Sequence, residues 1–331
     1  MKDTVPLQAT TPQSASALAD VSPFHSGEQA IQSRVGSRDR VEESGRRVIR
    51  EYMPDQHRQF FAQLPLFLVA TVDEQGRPWA SPLIGSPGFL HSPEPRLLHV
   101  AAQPLSGDPL NETLRDGAMI GGLGIEFHTR RRNRVNGTVS LDPDRTGFTL
   151  RVMQSFGNCP QYINARQYDL LSLPSGCRQP HLVQRHHQLD AAACAYITRA
   201  DTFFIASSYT GSEDPRHGAD VSHRGGRPGF VQITDDDTLL FPDYRGNFLF
   251  NTLGNLCVNP RCGLLFLDFD SGDALYITGR GEILWEWPRD DPAFHGAQRL
   301  VQFHVDETVQ IAGAVPFVWN FLGPAPQFSE P

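Results

Sequence analysis

The sequence predicts a mainly β protein: two similar β-barrels with flanking helices, paired within one chain. Three observations lead there. From Leu66 onward, short apolar stretches are cut by Gly, Pro, Asn and Asp turns, the signature of antiparallel strands. Helical patterning is concentrated before Leu66, and each half carries only one or two helices among its strands. The strand-like segments also recur in the same order further along the chain, and a repeat outranks local signals when a fold is assigned.

Residues 1–24 mix Ser, Thr, Gln, Pro and Ala without periodicity and read as a mobile tail. Residues 25–57 form a helical extension through "EQAIQSRVGSRDRVEESGRRVIREYM" and the start of "DQHRQFFAQL", with Asp55 as an N-cap after Pro54. Residues 58–180 make the first half. "LFLVATVDEQGRPWASPLIG" is a strand, a turn and a strand, followed by strands at "RLLHVAA", "MIGGLGIEF", "NRVNGTVSL" and "GFTLRVMQSF". A helix is expected at "CPQYINARQY", with Asn158 and Pro160 at its start. Residues 181–200 are a linker helix around "LDAAACAYITRA", residues 201–322 the second half, and residues 323–331 a tail.

The repeat rests on six ordered matches. "TFFIASS" answers "LFLVATV", "SHRGGRPGFV" answers "SPLIGSPGFL", and "TLLF" answers "RLLH". "GNFLFNTL" answers "GDPLNETL", "GLLFLDF" answers "GLGIEFH", and "TGRGEIL" answers "NGTVSL". The offset drifts only from 136 (Leu66 to Thr202) to 142 (Arg96 to Thr238), which small loop changes explain. Barrel closure removes exposed strand edges. Two such barrels in one chain would pair about a pseudo-two-fold axis, as a covalently linked homodimer does.

Composition excludes several functions. The net charge is −8, which argues against electrostatic binding to nucleic acid or an anionic membrane. No apolar run approaches the roughly 18–20 residues of a membrane span, and no signal peptide is read at the N-terminus. Cys159, Cys177, Cys194, Cys257 and Cys262 contain no C-x-x-C pair, so neither a disulfide framework nor a zinc site is expected, and a cytoplasmic setting fits. His186 and His187 are adjacent, a spacing unsuited to a metal.

The second half resembles the flavin-binding split barrel of the pyridoxamine 5′-phosphate oxidase family through "SHRGG", "FPDYRGNFLFNTLGNL", "NPRCGLLFLDF" and "LYITGRGEI". The first half resembles it more weakly, through "ATVDEQGRPWASPLIG" and "GIEFHTRRRNRVNGTV". The resemblance implies one flavin mononucleotide (FMN) at the interface of the two barrels. It places the phosphate on Arg224, Arg245, Thr252 and Asn255, with Gly225, Asn247 and Asn251 beside them. The ring would be reached by Trp79 and Ser81 of the first half. The substrate-phosphate motif of a true pyridoxamine phosphate oxidase is not found, which speaks against that activity.

Comparing the halves sharpens the corner. Arg224, Arg245, Asn247, Asn251 and Asn255 match Leu83, Ser106, Asp108, Glu112 and Asp116. A dianionic phosphate needs donors and positive charge, and the Arg fork supplies paired hydrogen bonds. The free amides opening a helix at Thr252–Asn255 add to this. Helix capping alone would account for Asn251 or Thr252, but not for both arginines changing in step. The second half should hold a phosphate here and the first should not.

Other features stay open. Arg130, Arg131, Arg132 and Arg134 read first as a solvated hairpin and second as an anion contact, and strand alternation keeps all four from sharing one target. Cys159 is either structural or close to the flavin ring. The function implied is an FMN-dependent oxidoreductase on an unidentified small molecule, with NAD(P)H or oxygen as co-substrate. The alternatives are a non-catalytic flavin carrier, or a split barrel holding a deazaflavin or a haem on His223. The chain is expected as a monomeric pseudo-dimer or a homodimer, without nucleic acid or membrane partners.

Overall fold

The computed structural model describes residues 21–171, 182–209, 216, 218–235 and 237–328. Helices α1 (Ser26–Arg34), α2 (Arg38–Val48) and α3 (Asp55–Ala62) precede the first half. That half comprises β1 (Leu66–Val72), β2 (Pro78–Ile84), β3 (Leu90–His91), β4 (Leu97–Val100), helix α4 (Leu110–Thr113), β5 (Met119–Glu126), β6 (Arg131–Leu141) and β7 (Phe148–Asn158). The connection carries β8 (Ala165–Leu170), β9 (Val183–His186) and α5 (Ala191–Arg199). The second half comprises β10 (Thr202–Tyr209), β11 (Gly218–Gly225), β12 (Gln232–Asp235), β13 (Thr238–Asp243), α6 (Asn251–Val258), β14 (Arg261–Leu267), β15 (Ala274–Leu284) and β16 (Arg299–Ile311), and β17 (Phe317–Gly323) follows.

The two sheets follow one path. The first runs β2-β1-β5-β6-β7-β4-β3 and the second β11-β10-β14-β15-β16-β13-β12, with β9 added beside β16. The registers agree residue by residue. Leu83 faces Phe67 and Arg224 faces Phe203, so these two positions are equivalent. A bulge interrupts β6 at Asn136/Gly137 and β15 at Thr278/Gly279, the same place in both halves. Each sheet is an antiparallel half-barrel rolled over its own core, and the fold is mainly β with flanking helices, as expected. The ladders shift two of the sequence matches by one residue. Gly121, not Gly122, is the counterpart of Gly263, because they face the equivalent Ala70 and Ala206.

Strand alternation divides the core into three. Phe67 and Val69 point into the first half, and Phe203 and Ile205 into the second. Leu66, Leu68 and Ala70 meet Phe204, Ala206 and Ala219 in a third cluster between the halves. Both faces of β1 and β10 are therefore buried, which explains their unbroken apolar sequences. The interface is reciprocal: β5 crosses β11, and its counterpart β14 crosses β2. A side chain at Gly121 would run into the main-chain oxygen of Ala219, and one at Gly263 into that of Pro78. Ala219 and Pro78 are themselves equivalent, facing Ser208 and Val72 at the start of β11 and β2. The pairing of β8 with β17, centred near Tyr168↔Trp319 and Gln167↔Asn320, joins the segments that follow each half.

Several local expectations are corrected. No helix forms at "CPQYINARQY": β7 continues to Asn158, and Tyr162, at φ 64°, breaks any helix before β8. The linker contributes strand β9 as well as α5. Asp55 is the first residue of α3 rather than its cap, and its carboxylate pairs with Arg58 at 3.0 Å. Residues 1–20 of the expected tail, and Cys177, lie outside the described residues. Phe24, assigned to that tail, is fully buried against Val41, Phe156 and Leu249.

Gly121→Ala and Gly263→Ala should each destabilise the protein by about 1–3 kcal/mol, the usual cost of overpacking. Gly246→Ala, where an added methyl meets nothing, should stay within about 0.5 kcal/mol of the parent. Urea denaturation of the three variants checks this. A neutral result at both interface glycines would contradict the reciprocal packing.

Candidate functional site

The corner that leads into α6 is strained. Phe248 and Phe250 both sit at φ 63°, a left-handed conformation costly for bulky side chains. Their rings meet edge to face at 5.9 Å, and Arg40 and Arg299 lie over them at 5.1 Å each. In the first half the matched Pro109 and Asn111 have ordinary backbone angles, and α4 is a single turn.

Beside this corner lies an open cleft of about 810 Å³, part of it continuous with solvent. One wall is first-half strand β6 with the turn after β7; the other is β11 and the β13–α6 loop. Arg132 and Arg134, two apart on β6 and so on one face, reach it together with Arg224 of β11. Arg134 is 3% exposed, pairs with Asp220, and donates to Ser222 Oγ at 2.7 Å. Its Nε has no hydrogen-bond partner, and Nη1 lies against the Asp220 carboxylate. Arg132 donates to the carbonyl oxygens of Cys159 at 2.6 Å and His223 at 3.5 Å. Burial, with Arg224 and Arg134 nearby, pushes its pKa down to about 9. Arg224 lies 3.7 Å from Asp243, which Arg299 shares at 3.2 Å. Thr252 donates to Ser222 Oγ at 2.9 Å. Four guanidiniums thus face two carboxylates, leaving two positive charges unbalanced. That surplus and the orphaned Nε of Arg134 fit a dianionic phosphate, which carries about 1.5–2 negative charges near neutral pH.

The equivalent place in the first half is sealed. Asp108, 1% exposed, accepts hydrogen bonds from Ser81 Oγ at 2.6 Å, the Leu110 amide at 2.7 Å and Tyr276 Oη at 2.8 Å. Burial pushes its pKa up to about 6. Ser81 is the counterpart of Ser222, facing Val69 where Ser222 faces Ile205. Tyr276 is the counterpart of Arg134, facing Leu265 where Arg134 faces Leu123. Two differences, Tyr276 for Arg134 and Asp108 for Asn247, thus turn a cationic wall into a phenol that closes on a carboxylate. Asn247, which matches Asp108, keeps the same local turn by accepting from the Leu249 amide at 3.1 Å, but it faces solvent.

The N-terminal extension covers the other side of the corner. Helix α1 crosses α6 where Gly27 and Gly254 leave no room for side chains. Glu28 Oε1 accepts from Asn251 at 2.6 Å, and His25 Nε2 bonds Asn255 Oδ1 at 2.9 Å. Asn255 also donates to Ser207 Oγ at 3.0 Å. Burial pushes Glu28 up to about pKa 8.

The structure brings Arg224, Gly225, Asn247, Asn251 and Thr252 together around the cleft. A side chain at Gly225 would run into the Tyr162 carbonyl, so glycine lets that turn close over the site. Arg245 is exposed, its guanidinium 5.7 Å from the Phe248 ring and its carbonyl bonded to Tyr162 Oη at 3.0 Å. Asn255 points to the N-terminal helix. Trp79 is 2% exposed and donates to Asp73 Oδ2 at 3.1 Å, so it and Ser81 belong to the interface core and the sealed corner. Asp116 lies beyond α4 and accepts from the Leu141 amide, so it is no counterpart of Asn255. The solvated-hairpin reading of the arginine run is overturned for Arg132 and Arg134. Arg130 and Arg131 are turned elsewhere, Arg130 to the Ile163 carbonyl and Arg131 over the Phe60 ring. Cys159 lines the cleft. His223 also lines the cleft; it is 2% exposed, its ring is held against Phe127 and Phe204, neither ring nitrogen has a hydrogen-bond partner, and burial drives its pKa well below the usual value. Sequence reasoning missed Ser222, Asp220, Asp243 and Glu28; the alternation of Arg132 and Arg134 was the available signal.

No family model matches the chain, and no curated protein does. Among solved structures, HupZ of Group A Streptococcus is similar at 12% identity, covering 41% of this chain and 98% of its own, with a TM-score of 0.28. A putative pyridoxamine 5′-phosphate oxidase of Lactobacillus delbrueckii is similar at 14% identity over 37% of this chain and 94% of its own, TM-score 0.29. A FAD binding protein of Mycobacterium smegmatis is similar at 13% identity over 39% and 98%, TM-score 0.25. Likeness at this level carries no statement about activity.

Glu28 gives a pH prediction. Its folded pKa lies above that of the unfolded chain, so the folded state holds the proton more tightly. Stability is greatest below about pH 4.5 for this group and falls as pH rises toward 8. Glu28→Gln should flatten that fall, gaining about 2–4 kcal/mol relative to the parent at pH 9 compared with pH 5. Urea midpoints at both pH values check it; parallel curves for parent and variant would contradict it.

Proposed function

We propose that the chain binds one flavin mononucleotide in the cleft between its halves and acts as an oxidoreductase on a small molecule, with NAD(P)H or oxygen as the other substrate. The observation that carries this reading is the convergence of Arg132, Arg134 and Arg224 on Ser222 and Thr252 in the one corner, of two equivalent ones, that is open. The sequence resemblance to the pyridoxamine 5′-phosphate oxidase family supplies the identity of the ligand.

In this reading Arg224 and Arg132 neutralise the phosphate, Arg134 donates through its unpartnered Nε, and the hydroxyls of Ser222 and Thr252 complete the set. Asp220 and Asp243 hold the arginines in place at the bottom of the cleft. Tyr162 and Tyr244, stacked at 4.9 Å, wall its mouth and limit water. A bound flavin supplies the exchange of a hydride or an electron pair. The cytoplasm is part of the proposal, consistent with Cys159, Cys257 and Cys262 standing outside any disulfide. Among the described residues no helix is long and apolar enough to cross a membrane.

Titration of flavin-free protein with FMN, followed by flavin fluorescence, should saturate at one per chain; two per chain would contradict the sealed corner. Arg224→Ala should weaken binding by about 1.5–3 kcal/mol, roughly ten- to hundredfold. Arg245→Ala, outside the cluster, should change it less than about threefold. Equal losses from both variants would move the phosphate to the loop edge. No saturable binding by the parent would remove the flavin reading.

A further inference from the structure

A second pocket lies away from the cleft, between the β8–β17 ribbon, the end of α5 and the β14–β15 turn. It encloses about 740 Å³, part of it open to solvent. Aromatic rings build it. Phe269 and Trp319 meet edge to face at 4.9 Å. Trp319 is fixed in turn by Phe127 at 5.4 Å and Phe317 at 5.3 Å, so that wall is rigid. Phe321, 58% exposed, forms the outer lip.

Arg166, which faces Phe321 across the ribbon, reaches into this aromatic surround. Its guanidinium lies 4.0 Å from the Phe269 ring centre and 5.3 Å from that of Phe321. Nη2 is held by Asp201 at 2.7 Å. Nη1 is buried without a hydrogen-bond partner, in a residue only 7% exposed. An orphaned buried donor costs stability unless something accepts from it.

Charge narrows the ligand further. Arg166 and Arg199 face Asp201, Asp268 and Asp270 here, a surplus of one negative charge. An anionic ligand is therefore disfavoured, and a neutral acceptor suits Nη1. We propose that this pocket binds a flat, uncharged aromatic molecule through a carbonyl oxygen that accepts from Arg166 Nη1, its ring lying between Trp319 and Phe321. The site is independent of the flavin reading.

The test uses 7-methoxycoumarin, a neutral fluorescent lactone, and 2-methoxynaphthalene, a ring of similar size without the carbonyl. The full chain should bind the coumarin saturably, and the naphthalene at least roughly fivefold more weakly. Arg166→Lys keeps a cation opposite Asp201 but loses the fork, and should weaken coumarin binding roughly tenfold, to the level of the naphthalene. Phe321→Ala removes an exposed ring with little effect on folding and should weaken both probes at least roughly threefold. If Arg166→Lys fails to fold, as thermal melts would show, Phe321→Ala and the two-probe comparison decide alone. No saturable coumarin binding, equal binding of the two probes, or unchanged affinity in the variants that fold would overturn the proposal.

Discussion

Everything in this molecule depends on two glycines. Gly121 and Gly263 let β5 and β14 lie against the main chain of β11 and β2, across a reciprocal interface. Because the contact is made twice, by equivalent residues, the halves are tied by an approximate two-fold relation, as in a closed isologous dimer. The buried strands β1 and β10, with apolar residues on both faces, follow from it. So does the cleft, whose walls come from different halves.

The symmetry that builds two corners is broken by side chains and, at the corner itself, by the backbone of the segment leading into α6. Tyr276 stands where Arg134 stands in the other half, and Asp108 where Asn247 stands. A phenol donating to a carboxylate is satisfied internally and needs no ligand. Buried guanidiniums with unpaired nitrogens are not satisfied, and the residual charge favours an anion. The left-handed Phe248 and Phe250 show that the open corner carries strain that the sealed one lacks. Helix α1 then covers the far side of the open corner, where Glu28 and His25 take up the polar groups of Asn251 and Asn255.

Much of this was legible in the sequence. The repeat, the strand segments and the match of Leu83 with Arg224 needed only period-two patterning and ordered similarity. So did the charge contrast between the two corners. What was not legible depended on distant contacts. No local signal says that "HTRRRNR" crosses to the other half, although alternation puts Arg132 and Arg134 on one face. Trp79 reads as a ring neighbour, yet it is consumed by a hydrogen bond to Asp73 six residues away. Asn255 reads as a phosphate donor, but His25, separated from it by most of the chain, holds it. The helix expected after Cys159 failed because Tyr162 adopts a turn under tertiary control, which propensity cannot report.

The central claim is that two equivalent corners on one strand path differ in that only one accepts an anion. Crystals soaked in a heavy oxyanion such as tungstate test it most directly, by anomalous scattering. The account predicts one strong site per chain, among Arg132, Arg224 and Thr252, and none at Ser81, Asp108 and Tyr276. An anion at the second place, or at both, would contradict it.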